Sequence, residues 1–288
     1  MTTAAPFLRA IRAREGAVHV VSSVLPLPKP TAVDRDGRTL AIVEVTTRTD
    51  ECPSVVLTYP PETAEVHWKG ECVDLECVET TTTHAPEIIV TTLALWEDFE
   101  RYGEEYVAHY SALGVDLFLV YVHGPVPDDP PHPHPNVRLI EWDVGEYWTD
   151  EERVIHRAQS SHLAHATLLA EGVGAPRGWL FSFDLDEHAT SDLRECVRQV
   201  PEGCRAVAIR SRWVNDQGKK AMYAFEYPQR SKFGQRLDLS REIHRARHRG
   251  IHRPSSCAGE VCVKDPAEIV LHHHIARSGK PRPLVLFV

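Results

Sequence analysis

The chain has 288 residues, 42% of them hydrophobic and 25% charged, enough for one large domain or a smaller pair with a sizeable core. Its net charge is −9 and its pI is near 6.0, so a nucleic-acid role has no global electrostatic support. No apolar stretch approaches the roughly 20 residues needed to span a bilayer, and the N-terminal MTTAAPFLRAIRAREG carries no signal-peptide pattern. The expectation is a soluble, cytoplasmic chain, or a Golgi-lumenal one if an anchor has been removed. The seven cysteines are odd in number and form no CxxC pair, which argues against a zinc ribbon. Free buried thiols are expected, with a Cys72–Cys77 bridge open in an oxidising compartment.

Residues 17 to about 83 read as β. AVHVVSSVL, TLAIVEVTT, SVVLTYP, AEVHW and CVDLECVETTT are short, rich in Val and Thr, and separated by turn residues. This predicts a small β-rich region over 1–85. At THAPEI the pattern changes. EIIVTTLAL (87–95) is a near-continuous apolar run, the mark of a buried parallel strand. WEDFERYGEEYVAHYSALG places Phe99, Tyr102, Tyr106, Tyr110 and Leu113 at helical spacing and stops at Gly114. VDLFLVYVHG (115–124) is a second buried strand.

PVPDDPPHPHPN is a loop, because its prolines exclude both a helix and a central strand. VRLIEWDV is a strand. TDEERVIHRAQSSHLAHATLLAEG is a helix with Thr149 as N-cap and an acidic first turn. GWLFSFDLDE, the capped SDLRECVRQV and RAVAIRSRW continue the alternation. The prediction for 86–288 is an α/β domain, with a mostly parallel sheet and helices on both faces. In such sheets ligands sit at the carboxyl ends of the strands.

One of those ends is WLFSFDLDEH (179–188), where an apolar run meets Asp184, Asp186 and Glu187. Crowded carboxylates raise one another's pKa unless a cation intervenes. Two aspartates one residue apart can share Mn²⁺ or Mg²⁺, and such a metal neutralises the charge on a departing diphosphate. Glu187 points away from the pair if the strand continues that far, so it supports the site. A solvated strand end is the plain alternative. Haloacid-dehalogenase-like phosphatases use D-x-D as well, but their motif wants Thr or Val where this chain has His188.

Taken together, TTLALWEDFERYGEEYVAHYSALGVDLFLVY, RAQSSHLAHATL, GWLFSFDLDEH and LHHHIARS occur in this order across about residues 86–280. They resemble glycosyltransferases of the GT-A fold (Rossmann-like), most closely the family 92 group and its family 2-like relatives. The resemblance implies metal-dependent transfer of a sugar from a nucleotide diphosphate, in the usual case UDP, to a glycan or other hydroxyl acceptor with inversion at the anomeric carbon. It places Asp184, Asp186 and His273 on the metal, and Glu97, His123, Gln159, Asp184 and His252 at the nucleotide sugar. The chain departs from the pattern at His123, where the family carries Asp or Asn, at His188 in place of Phe, and at His274 in place of Tyr. A catalytically inactive sugar-binding or assembly module of the same fold stays open.

The segment 230–253 holds eight Lys or Arg against two acids, a local reversal in an acidic chain. Its Lys232 and neighbours suit a diphosphate or an anionic acceptor, and a solvated helix face is the alternative. His244, His248 and His252 recur at helical spacing without the H-E-x-x-H carboxylate of a zincin. An inverting transferase needs a carboxylate base. Asp216 in RWVNDQGKK is the first candidate, Glu226 in AFEYPQR the second and Glu242 the third. Trp213 and Tyr227 are candidates for stacking on sugar rings, with core packing the commoner fate of such residues.

Overall fold

A computed structural model of the protein describes residues 8–22, 29–48, 54–77, 85–124, 126–127, 134–142, 151–214, 221–222, 231–237, 260–263, 271–274 and 286–287. The N-terminal part is all β: β1 (Leu8–Arg12), β2 (Val18–Ser22), β3 (Thr31–Val33), β4 (Thr39–Leu40), β5 (Glu44–Arg48), β6 (Ser54–Tyr59), β7 (Glu65–Trp68), β8 (Glu71–Val73) and β9 (Leu75–Cys77). They form a five-stranded sheet in the order β5-β6-β2-β1-β9 and a four-stranded sheet in the order β4-β3-β7-β8. Alternation decides their facing. In SVVLTY of β6, Val55, Leu57 and Tyr59 are buried while their neighbours are half-exposed.

The α/β part follows as β10 (Ile88–Leu95), α1 (Trp96–Ala112), β11 (Leu117–His123), β12 (Val137–Glu141), α2 (Glu151–Val173), β13 (Trp179–Ser182), β14 (Glu187–Ala189), α3 (Leu193–Arg198), β15 (Cys204–Val214), β16 (Ala221–Met222), β17 (Ser231–Arg236), β18 (Glu260–Val263), β19 (Leu271–His274) and β20 (Leu286–Phe287). Its main sheet runs β12-β11-β10-β13-β17-β15-β19-β14, with β18 beside β15. β12, β11, β10 and β13 are mutually parallel, as their long apolar runs predict. β17 is antiparallel to both β13 and β15, and β14 is antiparallel to β19. The sheet is therefore mixed. Among the described residues no helix lies between β15 and β17.

β10 is buried along nearly its whole length and serves two cores. Ile88, Val90 and Ala94 pack with Tyr106, Val107 and Tyr110 of α1. Ile89 and Leu93, one residue out of phase, pack with Leu163, Ala166, Leu169 and Ala170 of α2. That second core is continuous with Leu8, Ile11, Val20, Leu57, Tyr59 and Trp68 of the N-terminal sheets. Arg14 Nη2 donates to Gly172 O at 2.9 Å, and Glu76 on β9 pairs with Arg138 of β12 and with His165 of α2. The N-terminal sheets thus lie against the outer face of α2.

Helix ends follow the sequence signals. Gly114 sits at φ +85° directly after α1, its N–H donating to Ser111 O and that of Val115 to Tyr110 O. This paired pattern closes a helix on a left-handed residue that glycine adopts without strain. Asp192 caps α3 by accepting from Glu195 N at 2.9 Å. Thr149 lies outside the described residues. Cys72 and Cys77 are free and exposed and Cys196 is free and buried, whereas buried Cys204 is disulfide-bonded. Among the described residues no helix is long and apolar enough to cross a membrane.

Candidate functional site

The strand order fixes where a ligand belongs. From β10 the sheet grows outward through β11 to β12, and then the chain crosses to the other side of β10 to lay down β13. The crevice outside the carboxyl ends of β10 and β13 is the point where the winding reverses, the usual ligand position in such sheets. Three aspartates stand there. Asp98 is in the first turn of α1, directly after β10, and Asp184 and Asp186 follow β13.

β13 stops at Ser182, which pairs with Thr91. Phe183 N still donates to Thr91 O at 3.1 Å, and then the chain turns. Glu187 N donates to Asp184 O at 3.0 Å, and Asp184 N donates back to Glu187 Oε2 at 2.9 Å. Glu187 therefore returns beside Asp184 rather than pointing away from it, since a turn replaces strand alternation. Two tyrosines one helical turn apart on α1 hold this turn. Tyr106 Oη donates to Phe183 O at 3.1 Å. Tyr110 Oη donates to Glu187 O at 2.8 Å and accepts from Ala189 N at 3.2 Å. Tyr110 also stacks on Phe183, centroids 5.2 Å apart. Burial, then neighbouring charge that for Tyr106 includes Asp184, raises both phenols well above their ordinary value, so they stay donors.

The carboxylates have a resident cation. Because β17 runs antiparallel to β13, its first residues reach the carboxyl end of β13. Lys232 Nζ lies 2.7 Å from Asp184 Oδ2 and 3.2 Å from Glu187 Oε2. Lys232 and Glu187 side chains are each 2% exposed, whereas that of Asp184 is 36% exposed. Burial alone pulls the lysine pKa down, but the two carboxylates outweigh it and hold the ammonium charged, above its ordinary range. Asp186 is half-buried. Across the crevice the Asp98 carboxyl is raised by burial, by Glu97 and by Asp186, against the opposing charge of Arg101. The charge of Asp186 thus reaches Asp98, while Lys232 engages Asp184 and Glu187.

The other sequence candidates divide clearly. His123 ends β11, paired with Leu95 at the same edge of the sheet. Glu97 is exposed at the start of α1. Gln159 is buried on α2, one turn before His162. His162 is driven by burial to a pKa of about 3, with the Asp184 charge opposing and Lys232 reinforcing that shift. His273 on β19 is the register partner of Glu187 on β14 and of Trp213 on β15. The chain therefore brings Asp184, Asp186, Lys232 and the backbone of His273 to one region of the sheet, with His123 at a neighbouring strand end and Glu97 in the first turn of α1. Asp216, Glu226, Glu242, His244, His248, His252 and Tyr227 lie outside the described residues.

The sequence singles out Glu97 and not Asp98, although both follow the same apolar strand. It gives Glu187 a supporting place, and the ion pair of that residue depends on a lysine 45 positions later in the chain. Hard oxygen donors in this set suit Mn²⁺ or Mg²⁺. Asp184, whose Oδ2 pairs with Lys232, keeps a 36% exposed side chain, and Asp186 is half-buried. No family model and no curated protein matches this chain.

Proposed function

We propose that the protein is a metal-dependent glycosyltransferase of the GT-A type, taking a nucleotide diphosphate sugar, in the usual case UDP-linked, at the crevice between β10 and β13. One observation carries the reading: Asp98, Asp184 and Asp186 converge at the carboxyl ends of the two strands that flank the reversal in sheet winding. Asp186 and the outer oxygen of Asp184 would hold Mn²⁺ or Mg²⁺, with His273 the third candidate ligand. When bound, such a cation neutralises charge on the diphosphate as the sugar departs. Lys232 would keep Asp184 ionised and fixed in orientation. Tyr106 and Tyr110 would hold the turn rigid, so that its carboxylates need not reorganise. Inversion also requires a carboxylate base, for which Asp216 and then Glu226 are the sequence candidates.

The test is binding of UDP and of a UDP-sugar with and without Mn²⁺, repeated on Asp186→Ala. Mn²⁺-dependent binding that the substitution abolishes is expected, together with slow Mn²⁺-dependent hydrolysis of the UDP-sugar. Binding that ignores both metal and substitution would overturn the metal-dependent reading. A second reading is favoured by one observation: Lys232 already pairs with both Asp184 and Glu187, one ammonium shared by two carboxylates. A sugar-binding module of the same fold, without transfer, would use that ion-paired turn as scaffold. It predicts sugar binding without hydrolysis.

A further inference from the structure

We propose that the β7–β8 hairpin carries a zinc-binding site made by Glu65, His67 and Cys72, separate from the acidic turn after β13. The hairpin closes through Lys69 and Gly70, at φ 53° and 85°, the pair of left-handed residues that a two-residue loop needs to match strand twist. Its register is fixed as Val66 opposite Val73, His67 opposite Cys72 and Trp68 opposite Glu71. Val66, Trp68 and Val73 are buried at 0%, 3% and 6% exposure. A slip of one residue would turn these three outward, so the opposite face is held with equal certainty. Glu65 and His67, two apart on one strand, and Cys72, directly across from His67, all project from that face.

The ligand atoms converge. One carboxylate oxygen of Glu65, one imidazole nitrogen of His67 and the Cys72 sulfur all lie within 4.8 Å of one another. His67 Nε2 and Glu65 Oε2 are already 2.9 Å apart, sharing a proton that a cation would displace. A tetrahedral zinc ion with bonds of about 2.0–2.3 Å sets its ligand atoms about 3.3–3.6 Å apart. Closing the trio onto an ion therefore requires Glu65 and His67 to part slightly and the trio to draw together around the ion, on a face where Glu65 and Cys72 are exposed. A thiolate with an imidazole selects Zn²⁺ over Mg²⁺ or Mn²⁺. Three protein ligands leave the fourth position to solvent. No CxxC spacing announces such a site, because strand pairing rather than sequence proximity brings the cysteine to the histidine. Zinc would link β7 to β8 and clip the hairpin shut.

Co²⁺ is the spectroscopic probe. Titration of the full chain is expected to give a thiolate-to-cobalt charge-transfer band that saturates at one equivalent and is bleached by Zn²⁺. Cys72→Ser and His67→Ala should abolish the band, and Glu65→Gln should weaken Zn²⁺ binding by at least about tenfold. Cys77→Ser, which alters the other exposed free cysteine among the described residues, should leave the band intact. Far-UV circular dichroism of each metal-free variant checks that the sheets persist. Absence of the band in the unmodified chain, or its survival in Cys72→Ser, overturns the proposal.

Discussion

Lys232 is the residue on which the acidic turn depends. Its ammonium is the counter-charge for Glu187, which is as buried as the lysine itself, and for the more exposed Asp184. Lys232→Met keeps the volume and removes the charge. Breaking a buried pair from one side costs about 3–5 kcal/mol, because the remaining charge stays desolvated. Water reaches Asp184 and takes up part of its share, so the loss falls mainly on Glu187. The expected outcome is a urea unfolding free energy lower by about 3 kcal/mol or more. If the turn takes a divalent cation, Mn²⁺ should raise the melting temperature of Lys232→Met more than that of the unmodified chain. His162 gives a second handle at this scale. Its folded pKa is about 3 against an ordinary 6.5, so below pH 6.5 the unfolded chain takes up a proton that the folded one refuses. Stability from this residue is complete above about pH 6.5 and declines as pH falls toward 3. Between pH 7 and pH 5 the loss is about 2 kcal/mol. Urea denaturation at both pH values should show His162→Gln losing less than the unmodified chain by about that amount, and equal losses would disprove the assignment.

The elements carrying these residues were readable in sequence to different degrees, for physical reasons. β10 and α1 were legible because their signals are local: a continuous apolar run, a tyrosine every four residues, and Gly114 where a left-handed residue is needed. The end of β13 was not. Whether DLDE continues as strand or folds into a turn is decided by Tyr106, Tyr110 and Lys232, none of them nearby in the chain. The antiparallel entry of β17 was equally hidden, since a short strand carries no mark of direction. That entry leaves its own test. Gly234 of β17 pairs with Phe181 of β13 and Val207 of β15. A Cβ there would sit 2.3 Å from the Phe181 ring, and that ring is fully buried. The glycine is required by close approach of side chain to backbone, not by backbone conformation. Gly234→Ala should cost about 1–3 kcal/mol, the ordinary range for overpacking a closed core. A urea midpoint unchanged by the substitution would mean that β13 and β17 are not in this register.

At the scale of the molecule, the question is what the N-terminal sheets contribute to a site built wholly from later residues. The composition changes near residue 85, and the parallel sheet begins at Ile88, but the apolar core does not stop there. α2 presents Leu163, Ala166, Leu169 and Ala170 to a cluster that runs from Ile89 and Leu93 through to Ile11, Val20, Leu57 and Trp68. α2 is also the helix that carries His162, which feels the charges of Lys232 and Asp184, and His165 beside Tyr121, with 2.7 Å between His165 Nδ1 and the phenol oxygen. Glu76 closes the junction by pairing with His165 and Arg138, and those partners together hold its carboxyl below the ordinary range despite burial. Removing residues 1–85 would strip the outer face of α2 and take from His165 its partner Glu76. Exposed apolar surface of that extent promotes association. The chain 86–288 expressed alone is therefore expected to aggregate or to bind a hydrophobic dye, and to lose the cooperative unfolding of the full chain. A soluble fragment that unfolds cooperatively, with the melting temperature of the whole protein, would show instead that the N-terminal sheets are an appendage, and that the acidic turn after β13 stands without them.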